Sequence, residues 1–513
     1  DMLTAEQQQL LKSKLPLLAD ITTLDKRNEI LTKKLQLCAT TFDFLTTNPL
    51  ELKGIEKKKQ MLTEILEYIA RYSWYNEQIL ERCIKTISAN LFRALPRSGK
   101  NPDVEDEPFE DPAWAHLQLI YDLTLRLVIN TDVDKKTMKK YLEGDFVDNV
   151  IELFASEDPR EREYLKTILH RIYGRFMPLR ALIRQSIANC CYRTIYEQYT
   201  VNYSYNDDVH HSFHSLVLND DAHSTNGPSM AMTAFRQKQL RMMDKRYYQN
   251  STRNENGIAE FLEIFCSIIH GFSIPVKKEH KDFLRNVLVP LHKCRKLEKF
   301  HEQLVACCVQ FVFKDPSVAP VILGGLLKFW PIQSPTKEEM FIAEVVNVVN
   351  AMINHKNGFS WPENKEICLR VIDTLVECMK SHHHSVAERA LLVWGEDAIE
   401  ILIDLDKKTI WPKIVEAFLD NKNHWNESLR ECNEEAMDVF KVRDPQTFNR
   451  IREEYEQKQK LKETAAAVSA VSQTTTSTPS GEENDSAEQK SRARQDKWSR
   501  IQALAGKRKQ SMK

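Results

Sequence analysis

The residues best equipped for chemistry lie between Ser156 and Gln185, in the stretch SEDPREREYLKTILHRIYGRFMPLRALIRQ. Arg160, Arg162, Lys166, Arg171, Arg175, Arg180 and Arg184 are spread through it, joined by His170 and Tyr173. Guanidinium forks match carboxylate and phosphate oxygens, so this pattern suits an acidic peptide better than a small metabolite. The stretch also carries a helix-start signal. Asp158 can cap free amides, Pro159 suits the first helical position, and Glu161 and Glu163 face the positive helix end. Leu165, Ile168, Leu169 and Ile172 follow at helical spacing, which predicts one buried stripe.

Nothing in the chain supplies a nucleophile, a base or a catalytic metal. There is no G-x-S-x-G, P-loop or H-E-x-x-H pattern, and the G-D-x-H-G and G-N-H-E motifs of metal-dependent phosphatases are also missing. The run His382-His383-His384 does not read as a metal site, because consecutive helical residues point in different directions. His210, His211 and His214, near Asp207 and Asp208, are better spaced but fall in an irregular segment. No catalytic residue, metal or cofactor is therefore expected.

The elements that must position these groups are helices. Leu62, Ile65, Leu66 and Ile69 make one amphipathic stripe, Val147, Val150, Ile151 and Phe154 another, and Leu284, Val287, Leu288 and Leu291 a third. Joints fall at Asn48–Pro49, Asp111–Pro112, Asp158–Pro159, Asp315–Pro316 and Asp444–Pro445. Only 13 of 513 residues are glycine and alternating strand patterns are nearly absent, which disfavours all-β and glycine-loop nucleotide folds. Many short helices without an exact repeat predict an all-α, HEAT-like solenoid of degenerate helix pairs, with a compact all-α domain as the alternative.

The expected organisation is an N-terminal segment over 1–28, a solenoid over 29–450 and a tail over 451–513. A flexible insertion at about 198–255 interrupts the solenoid, with a short helix possible at 234–247. The tail opens with a low-complexity linker at about 464–490 and ends in Lys507-Arg508-Lys509. A net charge of −1 offers no global field for nucleic acid or an anionic membrane. No apolar run is long enough for a membrane span, and no apolar signal segment opens the chain. Eleven scattered cysteines without a C-x-x-C pattern read as reduced core thiols, so the expected location is cytoplasmic and also nuclear.

Several blocks, in order, resemble the B-prime (56-kilodalton) regulatory subunits of protein phosphatase 2A. They are VEDEPFEDPAWAHLQLIY (104–121), SEDPREREYLKTILHRIYGRF (156–176), NGIAEFLEIFCSIIHGFSIPVKKEHKDFL (256–284), LLKFWP (326–331), VAERAL (386–391) and HWNESL (424–429). The resemblance covers about residues 15–450, with a weaker echo at 491–506. It implies a non-catalytic subunit that joins a scaffold subunit and a catalytic subunit, and holds substrates through L-x-x-I-x-E peptides.

On that resemblance His170, Arg171 and Tyr173 line the peptide's path. Ile264 and Ile268, at i and i+4, floor the pocket for the ligand's isoleucine; by spacing alone they read as core. Lys277 and His280 grip the ligand's glutamate, and Arg180 meets flanking acidic or phosphorylated residues. Arg184 extends that pair at i, i+4. The acidic loop with Glu105, Asp106 and Glu107 implies a regulatory contact with the catalytic chain, with Trp114 anchoring it. The family joins the two groove halves by a tight turn, whereas this sequence places the 198–255 segment there. A helical-repeat adaptor of the importin type is the rival reading, although its groove would be acidic.

Overall fold

The structure is a computed structural model and describes residues 4–72, 76–95, 109–200, 255–356 and 358–474. Among them every regular element is a helix. The chain divides into two units, Asp1–Lys407 and Lys408–Lys513. The first contains α1 (Ala5–Lys12), α2 (Leu24–Cys38), α3 (Pro49–Arg71), α4 (Glu77–Leu91), α5 (Trp114–Ile129), α6 (Lys135–Leu142), α7 (Asp145–Glu152), α8 (Pro159–Arg175) and α9 (Arg180–Thr200). It continues with α10 (Ile258–His270) and α11 (Lys278–Phe283), which runs on through a π-helical turn, Leu284–Leu288. Then come α12 (His301–Lys314), α13 (Ala319–Lys328), α14 (Pro335–Ile353), α15 (Trp361–Met379), α16 (His384–Leu392) and α17 (Asp397–Leu405).

One row of this unit stacks helix on helix. α3 packs on α5, α5 on α8, α8 on α10, α10 on α12 and α12 on α14, with the intervening helices packed against the row. This is the pattern of an all-α helical-repeat solenoid. The expected stripes are its cement: Leu62, Ile65, Leu66 and Ile69, then Val147, Val150, Ile151 and Phe154, then Leu284, Val287, Leu288 and Leu291 are all buried. The Asx–Pro joints work as read. Side chains of Asn48, Asp158 and Asp315 accept from the amides of Leu50, Arg160 and Ser317, and Asp111 and Asp444 accept from those of Ala113 and Thr447.

The second unit holds α18 (Lys407–Asp420), α19 (Glu427–Arg443) and α20 (Pro445–Thr474). Trp411 and Phe418 each meet Phe440 edge-on at 5.2 Å, and Asn433 donates to the Phe418 carbonyl at 3.0 Å. α20 runs through the expected boundary at 450 and into the stretch read as linker. Three consecutive alanines, Ala465 to Ala467, are strong helix formers and explain the extension. The 234–247 helix, His210, His211 and His214, and residues 475–513 of the tail lie outside the described residues. His382, His383 and His384 are exposed at the start of α16.

The start of α8 is fixed by a buried polar network rather than by apolar packing. Glu161 is 0% exposed. Its carboxylate accepts from Arg93 Nη1 at 2.9 Å, Tyr121 OH at 2.6 Å and Ser156 Oγ at 2.5 Å. Arg93 also pairs with Asp111 at 2.7 Å, and Asp158 accepts from the Asp111 amide at 2.9 Å. The Glu161 and Asp111 carboxylates hold the Arg93 guanidinium more firmly protonated than usual, against the opposing effect of burial. The end of α4, the start of α8, helix α5 and the segment before α5 therefore meet in one network. Breaking such a pair leaves a buried charge uncompensated. Glu161→Ala should cost about 3 kcal/mol or more, measured as a lowered urea midpoint in denaturation followed by circular dichroism.

Candidate functional site

The seam between α8 and α10 brings together residues almost a hundred positions apart. Arg162 Nε donates to Glu260 at 2.6 Å, Lys166 Nζ to Glu263 at 2.6 Å, and Ser267 Oγ meets His170 Nε2 at 3.2 Å. Arg162, Lys166 and His170 stand at i, i+4 and i+8, so the three links climb one face of α8. Gly257 sets the entry to α10. Its φ is +85°, and a Cβ there would lie 2.8 Å from the Phe154 carbonyl oxygen and 2.6 Å from the Phe154 Cβ. Only glycine allows that left-handed turn and that approach.

Beyond the seam a second cluster joins α8, α9 and α11. Tyr173 is buried, and its hydroxyl accepts from Arg184 Nη1 at 3.1 Å. Arg184 Nη2 donates to Glu279 at 2.9 Å. Arg180 Nε donates to the Tyr173 carbonyl at 2.9 Å, and its guanidinium lies 5.1 Å from the Tyr173 ring centroid. The His280 ring stacks on Phe272 at 3.9 Å with an interplanar angle of 2°. His280 Nε2 is 3.6 Å from Glu279, outside hydrogen-bond reach, and its buried Nδ1 has no hydrogen-bond partner among the described residues. Burial, with Arg184 and Lys277 adding repulsion, pushes the imidazole below its ordinary range and makes it neutral near pH 7.

The expected cationic surface is mostly spent on the fold. Arg160 pairs with Asp158, Arg162 with Glu260, Lys166 with Glu263 and Arg184 with Glu279. Arg175 donates to the Val128 and Val133 carbonyls, and Arg180 to that of Tyr173. The reason is visible in α10: Glu260 and Glu263 stand at i, i+3 and face the basic residues of α8. Arg171 differs from its neighbours. It is exposed and makes no hydrogen bond or ion pair to any described residue. Lys277 is also exposed and precedes α11 as its N-cap. Ile264 is buried at 2% exposure as core, whereas Ile268, one turn on, is half-buried and is the one a ligand can touch.

Glu105, Asp106 and Glu107 lie outside the described residues. Trp114 opens α5, with its ring 5.7 Å from Tyr164 and under the Arg160 guanidinium at 5.0 Å. Asp111, nearby, is buried against Arg93. Ser267, Phe272 and Glu279 carry no signal of their own in the sequence. Only the acidic spacing of α10 hints at the seam.

One buried cluster has metal-like composition. The ligand atoms of His292, Cys308 and Glu344 lie within 4.8 Å of one another. Hydrogen bonds account for it: Glu344 takes His292 Nε2 at 3.0 Å and His301 Nε2 at 2.9 Å, while His292 Nδ1 donates to the Val289 carbonyl at 2.8 Å. Burial would raise the Glu344 carboxyl, but the two imidazoles outweigh it and hold it down to about 2.

Comparison with known families agrees with this architecture. The family model described as "Protein phosphatase 2A regulatory B subunit (B56 family)" matches residues 15–210 and 233–505. The break at 211–232 falls inside the expected insertion, and the match continues past 450 to 505, taking in the stretch where the weaker echo at 491–506 is expected. Among the relatives are several plant regulatory subunits of serine/threonine protein phosphatase 2A. The 57 kDa B' beta isoform from Arabidopsis thaliana is 37% identical over 455 residues, spanning 87% of this chain and 78% of the relative. The 59 kDa B' eta isoform of the same plant is 36% identical over 463 residues, 88% of this chain and 78% of that one. The 57 kDa B' kappa isoform of Oryza sativa subsp. japonica is 33% identical over 448 residues, 85% and 75% of the two chains. With its row of stacked helices and a match along nearly its whole length, the chain belongs to the B56 family of regulatory, non-catalytic subunits of protein phosphatase 2A.

Proposed function

We propose that the α8–α10 seam and the adjoining Tyr173–His280 cluster bind a short acidic peptide of the L-x-x-I-x-E type. The chain thereby recruits substrates to a catalytic subunit with which it assembles on a scaffold subunit. Recruitment works by raising the local concentration of substrate near an active site on another chain. The observation that carries this reading is the pair Arg171 and His280. In a region where nearly every cation is engaged, these two groups keep their hydrogen-bonding capacity free. Half-buried Ile268 supplies an apolar contact, and exposed Lys277 a second positive charge. A peptide ordered on binding in this way should be held at roughly micromolar strength, about 8 kcal/mol.

Arg171→Ala or His280→Ala should weaken such a peptide at least about tenfold, or about 1.4 kcal/mol. Calorimetry with a synthetic L-x-x-I-x-E peptide measures this, and unchanged affinity in both variants rejects the site. Replacing the peptide's glutamate with glutamine should remove the dependence on His280.

The His280 imidazole also sets a pH dependence. Its pKa in the folded protein is depressed, so the ring is neutral before the ligand arrives. A ligand carboxylate stabilises the imidazolium and raises that pKa, so binding takes up a proton. Affinity should therefore rise as pH falls from about 7.5 toward 6, while the peptide carboxylate stays ionised. Calorimetry in buffers of different ionisation enthalpy reads the proton directly; a flat series would exclude the imidazole from the contact. Co-purification with scaffold and catalytic subunits, identified by mass spectrometry, tests the assembly itself.

A further inference from the structure

The partners of His292 dictate its charge. This residue closes the short helical turn Val289–Leu291, which continues α11 beyond its π-helical stretch. Its side chain is 0% exposed, as is that of Glu344 on α14. Nδ1 lies 2.8 Å from the Val289 carbonyl, and Nε2 lies 3.0 and 3.1 Å from the two oxygens of Glu344. Carbonyl and carboxylate oxygens accept and do not donate, so both ring nitrogens must carry hydrogen, and such a ring is a cation. His301 Nε2 donates to the same carboxylate at 2.9 Å, which favours the ionised form of Glu344. A cation at the last turn of a helix also offsets the negative end of the helix dipole. We propose that His292 is a positioning residue, a buried imidazolium that ties the far end of the α11 helix to α14 and so steadies Lys277 and His280 at its start, with a grip that loosens as pH rises.

The groups around the ring set its balance. Burial works against the charge, but Glu344 and the Val289 carbonyl outweigh it, so the imidazole titrates above its ordinary range. Lys337 of α14 adds some repulsion, and its ammonium is engaged by the Cys294 carbonyl. The ligand atoms of Cys308, on α12, and His292 lie within 4.8 Å of each other, and burial keeps that thiol protonated. Phe341 meets the imidazole edge-on at 5.7 Å. A base whose folded pKa is raised stabilises fully below its unfolded value and loses that contribution as pH climbs through the folded one. His292 therefore supports the fold in full below about pH 6.5 and progressively less above it. Losing the proton turns a bare lone pair toward Val289 or Glu344, leaving that buried acceptor without its donor. His280 stands twelve residues before His292, about 18 Å along one helical run, so a shift at one end reaches the other. The link to peptide affinity rests on the function proposed above; the charge and its pH dependence do not.

The test uses the full chain carrying isotope-labelled histidine, with the His292 signals assigned by their loss in His292→Gln. Nuclear magnetic resonance at about pH 7 should show both ring nitrogens protonated; a ring with one bare nitrogen overturns the proposal. If His292→Gln does not fold, Glu344→Gln replaces it, and removing the anion should strip the second proton from the ring at the same pH. Urea denaturation of wild type and variant is then compared from about pH 6 to about pH 9.5. The variant should have the lower midpoint at the acid end, and the gap should shrink by about half or more at the alkaline end. A constant gap overturns the pH dependence. Stoichiometric zinc that raises the wild-type midpoint would assign the cluster to a metal ion rather than a proton, and so overturn the reading. At about pH 7 the variant should also bind the L-x-x-I-x-E peptide roughly threefold or more weakly; unchanged affinity overturns the link to the site. If wild type binds no such peptide, the groove reading fails, while the spectra and denaturation still judge His292.

Discussion

A single buried carboxylate organises the middle of this molecule. Glu161 accepts from an arginine, a tyrosine and a serine that come from three different segments of chain. An ionised group cannot be left in a helical interior without such partners, because desolvation costs several kcal/mol. The network is therefore directional. It fixes where α8 begins, which way it leaves, and how it stands against α5. Apolar stripes alone would let helices of a stack slide by a turn; hydrogen bonds of fixed geometry do not.

From that fixed point the seam with α10 follows. Arg162 and Lys166 rise from the same helix turns that the network positions, and they meet Glu260 and Glu263. These links lie partly in solvent, so each adds little stability, yet together they set the register of the two helices. Register matters because it places Ser267 opposite His170. In this part of the chain most charges thus serve alignment, and Arg171 stays without an ion pair among the described residues.

The helical architecture is legible in the sequence because its signals are local. Asn48, Asp158 and Asp315 start helices or turns as their neighbouring prolines foretell, and the three apolar stripes are buried. The charge state of the site is not legible. Seven cations in thirty residues look like a binding surface, but their partners Glu260, Glu263 and Glu279 lie far along the chain. Nothing local in residues 156–185 announces them. Spacing offers Arg184 to a ligand, yet Tyr173 and Glu279 occupy it. Ile264 and Ile268 have the same type and helical spacing, and only packing against α12 separates the buried one from the accessible one. At 464–474 the tail looks like low complexity, and alanine propensity prevails there as helix.

The seam also ties together parts of the chain that lie far apart in sequence. The ion pairs between α8 and α10 join residues almost a hundred positions apart. Closure entropy grows slowly with span, by only about 0.6 kcal/mol for each doubling of the connecting length. Contacts of this kind therefore hold their two helices in register at a cost that depends little on how many residues separate them.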